Sequence, residues 1–192
     1  MGTPAKVLAP GDVRRLQARA GRGRYALRNR VMVLLSFKAG LRACEMAGLD
    51  WTMVIGPDGK VGSSMLVSDG IAKNGRGRRL PIHQELKQSL ERLHKQLGRP
   101  TDGPVVPSQK GDHMSARSVV NWFAAIYDEL GFRGCSSHSG RRTFITEAAR
   151  LASKAGGCLR DVQELAGHRA LTTTERYIEG DRDAQRRLVR ML

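Results

Sequence analysis

The polar residues best suited to chemistry are spread over more than half of the chain, and their types fit cleavage of a phosphodiester. Cationic side chains can hold phosphate oxygens, imidazoles can move protons, and a phenol can attack phosphorus. The sequence has no carboxylate cluster to hold Mg²⁺ and no Gly-rich loop that indicates ATP. We therefore predict a site without metal or other cofactor, built from Arg42, Lys73, His138, Arg141, His168 and Tyr177.

Arg42 stands where a buried helix is expected to begin, in the motif Ala39-Gly40-Leu41-Arg42-Ala43-Cys44-Glu45. A buried arginine needs a partner, because an unpaired buried charge is costly. Glu45, one turn later, can form an internal ion pair with it. The same carboxylate can orient the guanidinium so that its other donors face a phosphate, so the two roles are compatible.

His138 and Arg141 lie three residues apart at the expected start of a helix, so both side chains project from one face. The spacing alone is weak, because it arises by chance in so basic a chain, and a solvated surface pair is the alternative. The fuller run is more specific: Ser137-His138-Ser139-Gly140-Arg141-Arg142-Thr143-Phe144.

Lys73 begins a basic segment, Lys73-Asn74-Gly75-Arg76-Gly77, that we expect at the exposed tip of a hairpin. Taken alone, a loop lysine is usually only solvated.

Tyr177 follows His168 by nine residues. Gly167 is expected to end one helix, and Thr172 is expected to cap the next. The alternative is a core tyrosine with a bonded hydroxyl beside a surface histidine.

These segments resemble the active-site boxes of the tyrosine recombinase (phage integrase) family, over nearly the whole chain. Residues 39–45 resemble the first box, and residues 137–144 resemble the second, with Ser139 where an acidic residue is common. The family carries a lysine on a mobile β-hairpin before a basic strand that ends in a Val/Leu-Pro-Ile-like step. The run Arg79-Leu80-Pro81-Ile82 matches this ending. Residues 165–177 resemble the nucleophile segment in full.

The resemblance implies that Tyr177 attacks DNA and forms a covalent 3′-phosphotyrosyl link. Arg42 and Arg141 would bind the non-bridging oxygens and stabilise the charge of the transition state. Lys73 would protonate the departing 5′ oxygen.

Both histidines would support this reaction: His138 would accept the tyrosine proton or bind the phosphate, and His168 would donate to an oxygen. Glu45 would support Arg42. The predicted contacts to the DNA backbone are Arg76, Arg78 and Arg142.

The elements that must position these residues are mainly helical, with a small three-stranded antiparallel sheet (α+β), as in the tyrosine recombinase catalytic-domain fold. The spacing of apolar residues and the turn signals set their bounds. One helix is expected from Pro10 to about Gly21, others over 26–39, 42–48, 86–97, 115–130, 139–153, 158–166, 172–178 and 181–191, and strands over 51–55, 61–68 and 71–82.

The charge of the chain indicates a polyanionic partner. Lys and Arg number 33 against 18 Asp and Glu, so the formal net charge is +15. Nucleic acid is favoured over a membrane, and a merely soluble basic protein is the alternative; the family resemblance implies that the nucleic acid is double-stranded DNA. Cys44, Cys135 and Cys158 have no paired spacing, so we expect reduced thiols in a cytoplasmic, nucleoid-associated protein. No apolar run is long enough for a membrane span.

We expect residues 1–192 to form a single catalytic domain without the N-terminal core-binding domain of the family, because the first box begins as early as Ala39. The resemblance implies a homo-tetramer on DNA, with the C-terminal helix 181–192 docking on a neighbouring protomer; docking on its own core is the alternative. An accessory DNA-binding protein is a further candidate partner.

Site-specific DNA recombination, as in a mobile element, is the leading functional prediction. Two alternatives remain: a type IB-like topoisomerase, and a non-catalytic DNA-binding regulator of a partner integrase. The regulator would require that a catalytic residue be missing, but all six are present in the sequence.

Overall fold

The computed structural model describes residues 5–73, 75–177 and 189–190. Within these residues the chain is mainly helical with one small antiparallel sheet, which confirms the predicted fold class. The elements are α1 Pro10–Ala20, α2 Ala26–Lys38, α3 Ala43–Ala47, β1 Ser64–Val67, β2 Arg78–Pro81, α4 Gln84–Gln96, α5 Ala116–Glu129, α6 Ser139–Ala152, α7 Leu159–Ala166 and α8 Leu171–Glu175.

Local signals set most of the helix boundaries. Pro10 occupies the first turn of α1, where its missing N–H has no intrahelical partner to lose. The Ser115 hydroxyl caps α5 by accepting the N–H of Ser118 at 3.0 Å. Gly167 ends α7 in the left-handed conformation, with φ of +62°. These boundaries confirm the sequence-based predictions for the three helices.

The core is centred on α2, whose apolar side chains are buried all round. Val31, Leu34 and Leu35 are fully buried, and the helix packs against α1, α4 and α6. Every residue from Val31 to Phe37 is buried, as expected for a helix that lies in the interior. It ends just before Gly40, so it fixes the position at which the Arg42 motif begins.

The predicted three-stranded sheet is wrong in its strand count, since β1 and β2 form a two-stranded sheet. Trp51–Met53 instead forms a short 3₁₀ helix, which Asp50 caps by accepting the N–H of Thr52 at 2.9 Å. Trp51 is buried there, and only an isolated bridge between Ile55 and Val61 remains of the third strand. Burial of the indole and the aspartate cap favour the helical turn over the extended backbone.

The strand predicted over 71–82 begins only at Arg78. The N–H groups of Ile71 and Ala72 both donate to the carbonyl of Ser68, so this part of the hairpin is a turn. Both side chains are half-buried against the core, and this contact holds the start of the Lys73 segment.

A second, smaller apolar cluster joins α6 and α7 near the end of the described chain. Ile145, Val162 and Ala166 are buried in it, and Phe144 and Tyr177 pack against them. This cluster holds the residues after Gly167 against α6. The predicted helix 181–191 lies outside the described residues, apart from Val189 and Arg190, which are helical.

None of the helices in the described part of the chain combines the length and the apolar character that crossing a membrane requires.

Candidate active site

One open cavity of about 460 Å³ gathers all six side chains that the sequence predicts to do chemistry. They come from four separate parts of the chain: the start of α3, the hairpin, the start of α6, and the segment from the end of α7 to the residues after α8. The lining residues are Ala5, Arg42, Lys73, His138, Arg141, Arg142, His168, Thr173 and Tyr177.

Glu45 anchors Arg42 at this cavity. The carboxylate is completely buried and accepts the Nη1 of Arg42 at 2.8 Å and the Arg42 backbone N–H at 3.0 Å. Burial alone would raise the pKa of the Glu45 carboxyl, but the hydrogen bonds and positive charges of Arg78 and Arg42 outweigh it and lower that pKa to about 2. The Arg42 side chain keeps 13% of its surface exposed, so other donors can reach the cavity.

Arg78 differs from its predicted place on the DNA backbone. It points inward from β2, with its side chain 8% exposed, and binds both oxygens of Glu45 at 3.0 Å. Its Nε donates to the carbonyl of Leu165, also at 3.0 Å. In this position it is an internal partner of the arginine motif, with all three guanidinium nitrogens on internal acceptors.

Arg141 lies almost fully buried at the back of the cavity. Its Nη1 donates to the carbonyl of Gly40 at 2.6 Å, and its Nη2 donates to the carbonyl of Ala166. Burial and the nearby charge of Arg42 lower the pKa of Arg141 to about 10, so it remains protonated at neutral pH. Two backbone carbonyls thus fix the direction of this cation before any anion arrives.

His138 immediately precedes α6 and is an exposed residue that lines the cavity. Burial lowers the pKa of His138, and the positive charges of Lys73, Arg141 and Arg42 lower it further. Because the ordinary pKa is 6.5, the imidazole is neutral at pH 7 and can accept a proton.

His168 is held by a buried hydroxyl that the sequence analysis did not single out. Its Nδ1 lies 2.9 Å from the Oγ1 of Thr174, a fully buried residue of α8. Burial and the charges of Arg141, Arg42 and Arg78 lower the pKa of His168 to about 4. Where the Thr174 hydroxyl donates to Nδ1, the proton of the neutral ring lies on Nε2.

Tyr177 lies against two other residues of the cavity. Its ring stacks on that of His168, with centroids 5.6 Å apart and planes 24° apart. The guanidinium of Arg142 lies 5.6 Å from its ring centroid, in cation–π contact. Its carbonyl accepts the hydroxyl of Thr146 at 3.4 Å. The ring of Tyr177 is therefore held by α6 and the His168 turn, and its backbone is held by α6.

The two basic residues at the hairpin tip lie on different sides of it. Lys73 is exposed and lines the cavity. Arg76 instead lines a neighbouring groove of about 500 Å³ between β2 and α7, together with Arg78, Arg79 and Arg160. The N–H of Gly77 donates to the Asp69 carboxylate at 2.5 Å, which closes the base of the loop.

Among residues 5–73 and 75–177, no three His, Cys, Asp or Glu side chains lie close enough together to share a metal ion. The three cysteines are all described, and each is a free thiol. The basic side chains that line the cavity include those of Arg42, Lys73 and Arg141.

The sequence analysis did not identify two contacts that position the site, that of Thr174 with His168 and that of Arg78 with Glu45. Thr174 gave no signal, because a threonine in a short helix is ordinary and its contact with His168 depends on the turn between α7 and α8. Arg78 did give a signal. Side chains alternate along a strand, so Arg78 shares a face with buried Leu80 while Arg79 points outward. An inward arginine on such a strand requires a carboxylate partner.

Comparison with known proteins shows the family of this chain. Residues 6–183 match the phage integrase family. The tyrosine recombinase XerC of Serratia marcescens is 33% identical over 159 residues, covering 81% of this chain and 49% of XerC. The chain spans about half the length of the curated relatives it matches.

Solved structures show the same fold. The crystal structure of XerA recombinase has a TM-score of 0.76 at 20% identity, covering 100% of this chain and 66% of that chain. The Tn1549 transposon integrase in complex with transposon right end DNA has a TM-score of 0.75 at 19% identity, covering 100% and 67%. The predicted tyrosine recombinase catalytic-domain fold is confirmed. With a sequence match that extends over most of its length, this chain belongs to the phage integrase family of tyrosine recombinases.

Proposed function

We propose that this chain carries out site-specific DNA recombination by cleaving and rejoining DNA strands through a 3′-phosphotyrosyl link on Tyr177, without a metal ion. The observation that carries the proposal is the single cavity shared by all six predicted catalytic side chains. Four separate segments of the chain must fold together to build it. A surface on which charges fall at random would not combine two arginines, two imidazoles, a lysine and a phenol.

Two arginines would bind the phosphate and stabilise its transition state. Arg42 and Arg141 are both held by internal acceptors, one by a carboxylate and one by backbone carbonyls. Fixed donors of this kind need no reorganisation when negative charge develops on the non-bridging oxygens. They supply the positive charge that metal ions supply in other phosphoryl-transfer sites.

Proton transfer would fall to the remaining groups. A phenol is a poor nucleophile until it loses its proton, and neutral His138 is the group in this cavity suited to accept it. Neutral His168 would donate a hydrogen bond from Nε2 to a phosphate oxygen. Lys73, on the exposed loop, would protonate the 5′ oxygen as the bond from phosphorus to that oxygen breaks.

Double-stranded DNA is the proposed substrate and partner. Its phosphates match the net charge of +15, and the Tn1549 integrase that shares the fold is described in complex with transposon DNA. Arg76, in the groove beside the cavity, and Arg142, at its rim, are the proposed contacts to the flanking backbone.

We further propose that residues 1–192 act as one catalytic domain within a homo-tetramer on DNA, with the segment 181–192 docking on a neighbouring copy. Two strands must be cut and exchanged in each duplex, so recombination needs several active sites in one assembly. We also propose that the protein belongs to a mobile element. It would act in the cytoplasm on nucleoid DNA, with or without an accessory DNA-binding protein.

Covalent trapping tests the proposed chemistry. The protein is incubated in EDTA with a supercoiled plasmid that carries the DNA flanking its coding sequence, and a denaturing gel is examined for a protein–DNA adduct. We expect an adduct from the wild type and none from Tyr177→Phe, because the ring remains but the nucleophilic oxygen is gone.

Tyr25→Phe is the matched control. Tyr25 lies outside the cavity, with Arg28 at 4.2 Å from its ring, and a phenylalanine keeps that contact. This variant should form the adduct as the wild type does. An adduct that persists in Tyr177→Phe, or a wild type that binds the plasmid and never forms one, would contradict the proposal.

A further inference from the structure

The contacts of Arg78 join three segments of the cavity wall that are far apart in sequence. The residue belongs to β2, its Nη1 and Nη2 each donate to one oxygen of Glu45 in α3, and its Nε donates to the carbonyl of Leu165 near the end of α7. The separations in sequence are 33 and 87 residues. The planar guanidinium of Arg78 therefore links β2 to α3, which follows Arg42, and to the end of α7, which precedes His168.

The geometry of this contact is specific to arginine. Both ends of the guanidinium reach the two carboxylate oxygens at 3.0 Å, which is the parallel, bidentate arrangement. The third nitrogen is used at the same time, on a backbone carbonyl. A lysine has one nitrogen and cannot bind two such acceptors in these directions at once.

The contacts lead directly to groups that face the phosphate. Glu45 uses the same two oxygens to bind Arg42, so the position of Arg42 depends on how Arg78 holds the carboxylate. On the other side, Leu165 precedes the Gly167–His168 turn by two residues. A Cβ on Gly167 would lie only 3.0 Å from the Cδ of Arg78, so the turn is packed directly on this side chain.

We propose that Arg78 is a positioning residue for DNA cleavage, which holds Arg42 through Glu45 and holds the Gly167–His168 turn through the Leu165 carbonyl. The inference rests on the proposed function and names a part of that site. Arg78 acts on the DNA only through these contacts, because all three of its guanidinium nitrogens donate to internal acceptors and it does not line the cavity that holds the six predicted catalytic side chains. Its loss would misplace the phosphate-binding groups while leaving the DNA-contacting surface in place.

Single-turnover cleavage tests this directly, with DNA held at saturating concentration. We expect Arg78→Gln and Arg78→Lys each to lower the cleavage rate by about 100-fold, the effect of a displacement near 1 Å in a site. The matched control is Arg150→Lys, which alters an exposed ion pair with Glu147. Arg78→Lys keeps the positive charge, so it decides the outcome where Arg78→Gln fails to fold.

The salt dependence of DNA binding separates positioning from a direct DNA contact. A residue that binds a phosphate lowers the slope of log affinity against log salt by about one when it is removed. We expect the slope of Arg78→Gln, which removes the positive charge, to equal that of the wild type. A reduced slope with normal cleavage at saturating DNA would overturn the proposal and restore the backbone contact.

A double-mutant cycle tests the route through Glu45. Glu45→Gln should slow cleavage, and Arg78→Gln added to it should cost far less than it does alone, because both changes act on Arg42 through the same contact. Losses that multiply would show that Arg78 does not act through Glu45.

A measurement without DNA keeps this inference separate from the proposed function. We expect Arg78→Lys to shift the ¹⁵N resonances of the Arg42 Nε and of the Gly167 amide in the free protein, and Arg150→Lys to leave both unchanged. Should the wild type form no adduct, the proposed function fails, and these shifts alone decide the inference. Unshifted resonances at both positions would overturn it.

Discussion

The buried carboxylate of Glu45 makes a strong prediction for stability. Its pKa is about 2 in the folded protein and 4.5 ordinarily, because Arg78 and Arg42 more than offset the effect of burial. A difference of this size corresponds to about 3 kcal/mol at pH 7. Glu45→Gln keeps the shape but leaves two arginines without their carboxylate, so we expect it to lower the free energy of unfolding by about 3 kcal/mol at pH 7.

The same pKa values fix how this loss changes with pH. A carboxylate whose pKa is lowered by folding stabilises the protein above its unfolded pKa, and the contribution disappears as pH falls through its folded pKa. The difference between wild type and Glu45→Gln should therefore be complete above pH 4.5. It should narrow to about 1.4 kcal/mol at pH 3, where the unfolded carboxylate is largely protonated.

Urea unfolding followed by far-UV circular dichroism at pH 7 and pH 3 measures both values. Glu147→Gln is the matched control, because Glu147 forms an exposed ion pair with Arg150 at 3.0 Å. Exposed pairs contribute about 0–1 kcal/mol, so this variant should stay close to the wild type. The reasoning is refuted if Glu45→Gln is no less stable than Glu147→Gln at pH 7, or if its deficit is the same at both pH values.

Three further predictions concern packing and protonation. Gly140→Ala should destabilise the protein by about 1–3 kcal/mol in urea unfolding, because a Cβ there would overlap the Ser36 hydroxyl; Gly70→Ala, with open space around it, is the control, and equal stability of the two would contradict this. Folding lowers the pKa of His168 from 6.5 to about 4, so wild-type stability should rise from pH 4 to 6.5 and stay level above. His168→Gln should flatten that rise, and an unchanged slope would contradict the assignment. The Tyr127 hydroxyl is buried without a hydrogen-bond partner among the described residues, so Tyr127→Phe should not destabilise the protein; a loss above about 1 kcal/mol would reveal a hidden partner.

Features governed by neighbours in sequence could be predicted from the sequence alone. The Arg42–Glu45 ion pair follows from two opposite charges three residues apart at a helix start. Ser115 predicts the start of α5, because a hydroxyl cap binds a backbone N–H within the first turn of the helix. The boxes around His138 and Tyr177 were recognised from short spacings, and all of the predicted catalytic side chains do line one cavity.

Features that depend on distant partners could not be predicted in the same way. The segment around Trp51 has apolar residues typical of a strand, but burial of the indole in the core favours a 3₁₀ turn. Arg78 could be assigned to the inner face of β2 from alternation with Leu80. Its actual acceptors, Glu45 and Leu165, belong to other elements, and no local pattern identifies them.

The identity of the amino acid joined to DNA tests the central claim most directly. The adduct formed in EDTA is digested with nuclease and trypsin, and the peptide that carries a nucleotide is sequenced by mass spectrometry. Cleavage after Arg176 and Arg182 gives Tyr-Ile-Glu-Gly-Asp-Arg, in which Tyr177 is the one tyrosine. The proposed function predicts the nucleotide on this residue. A nucleotide on Tyr25, on Tyr127 or on a serine would contradict it.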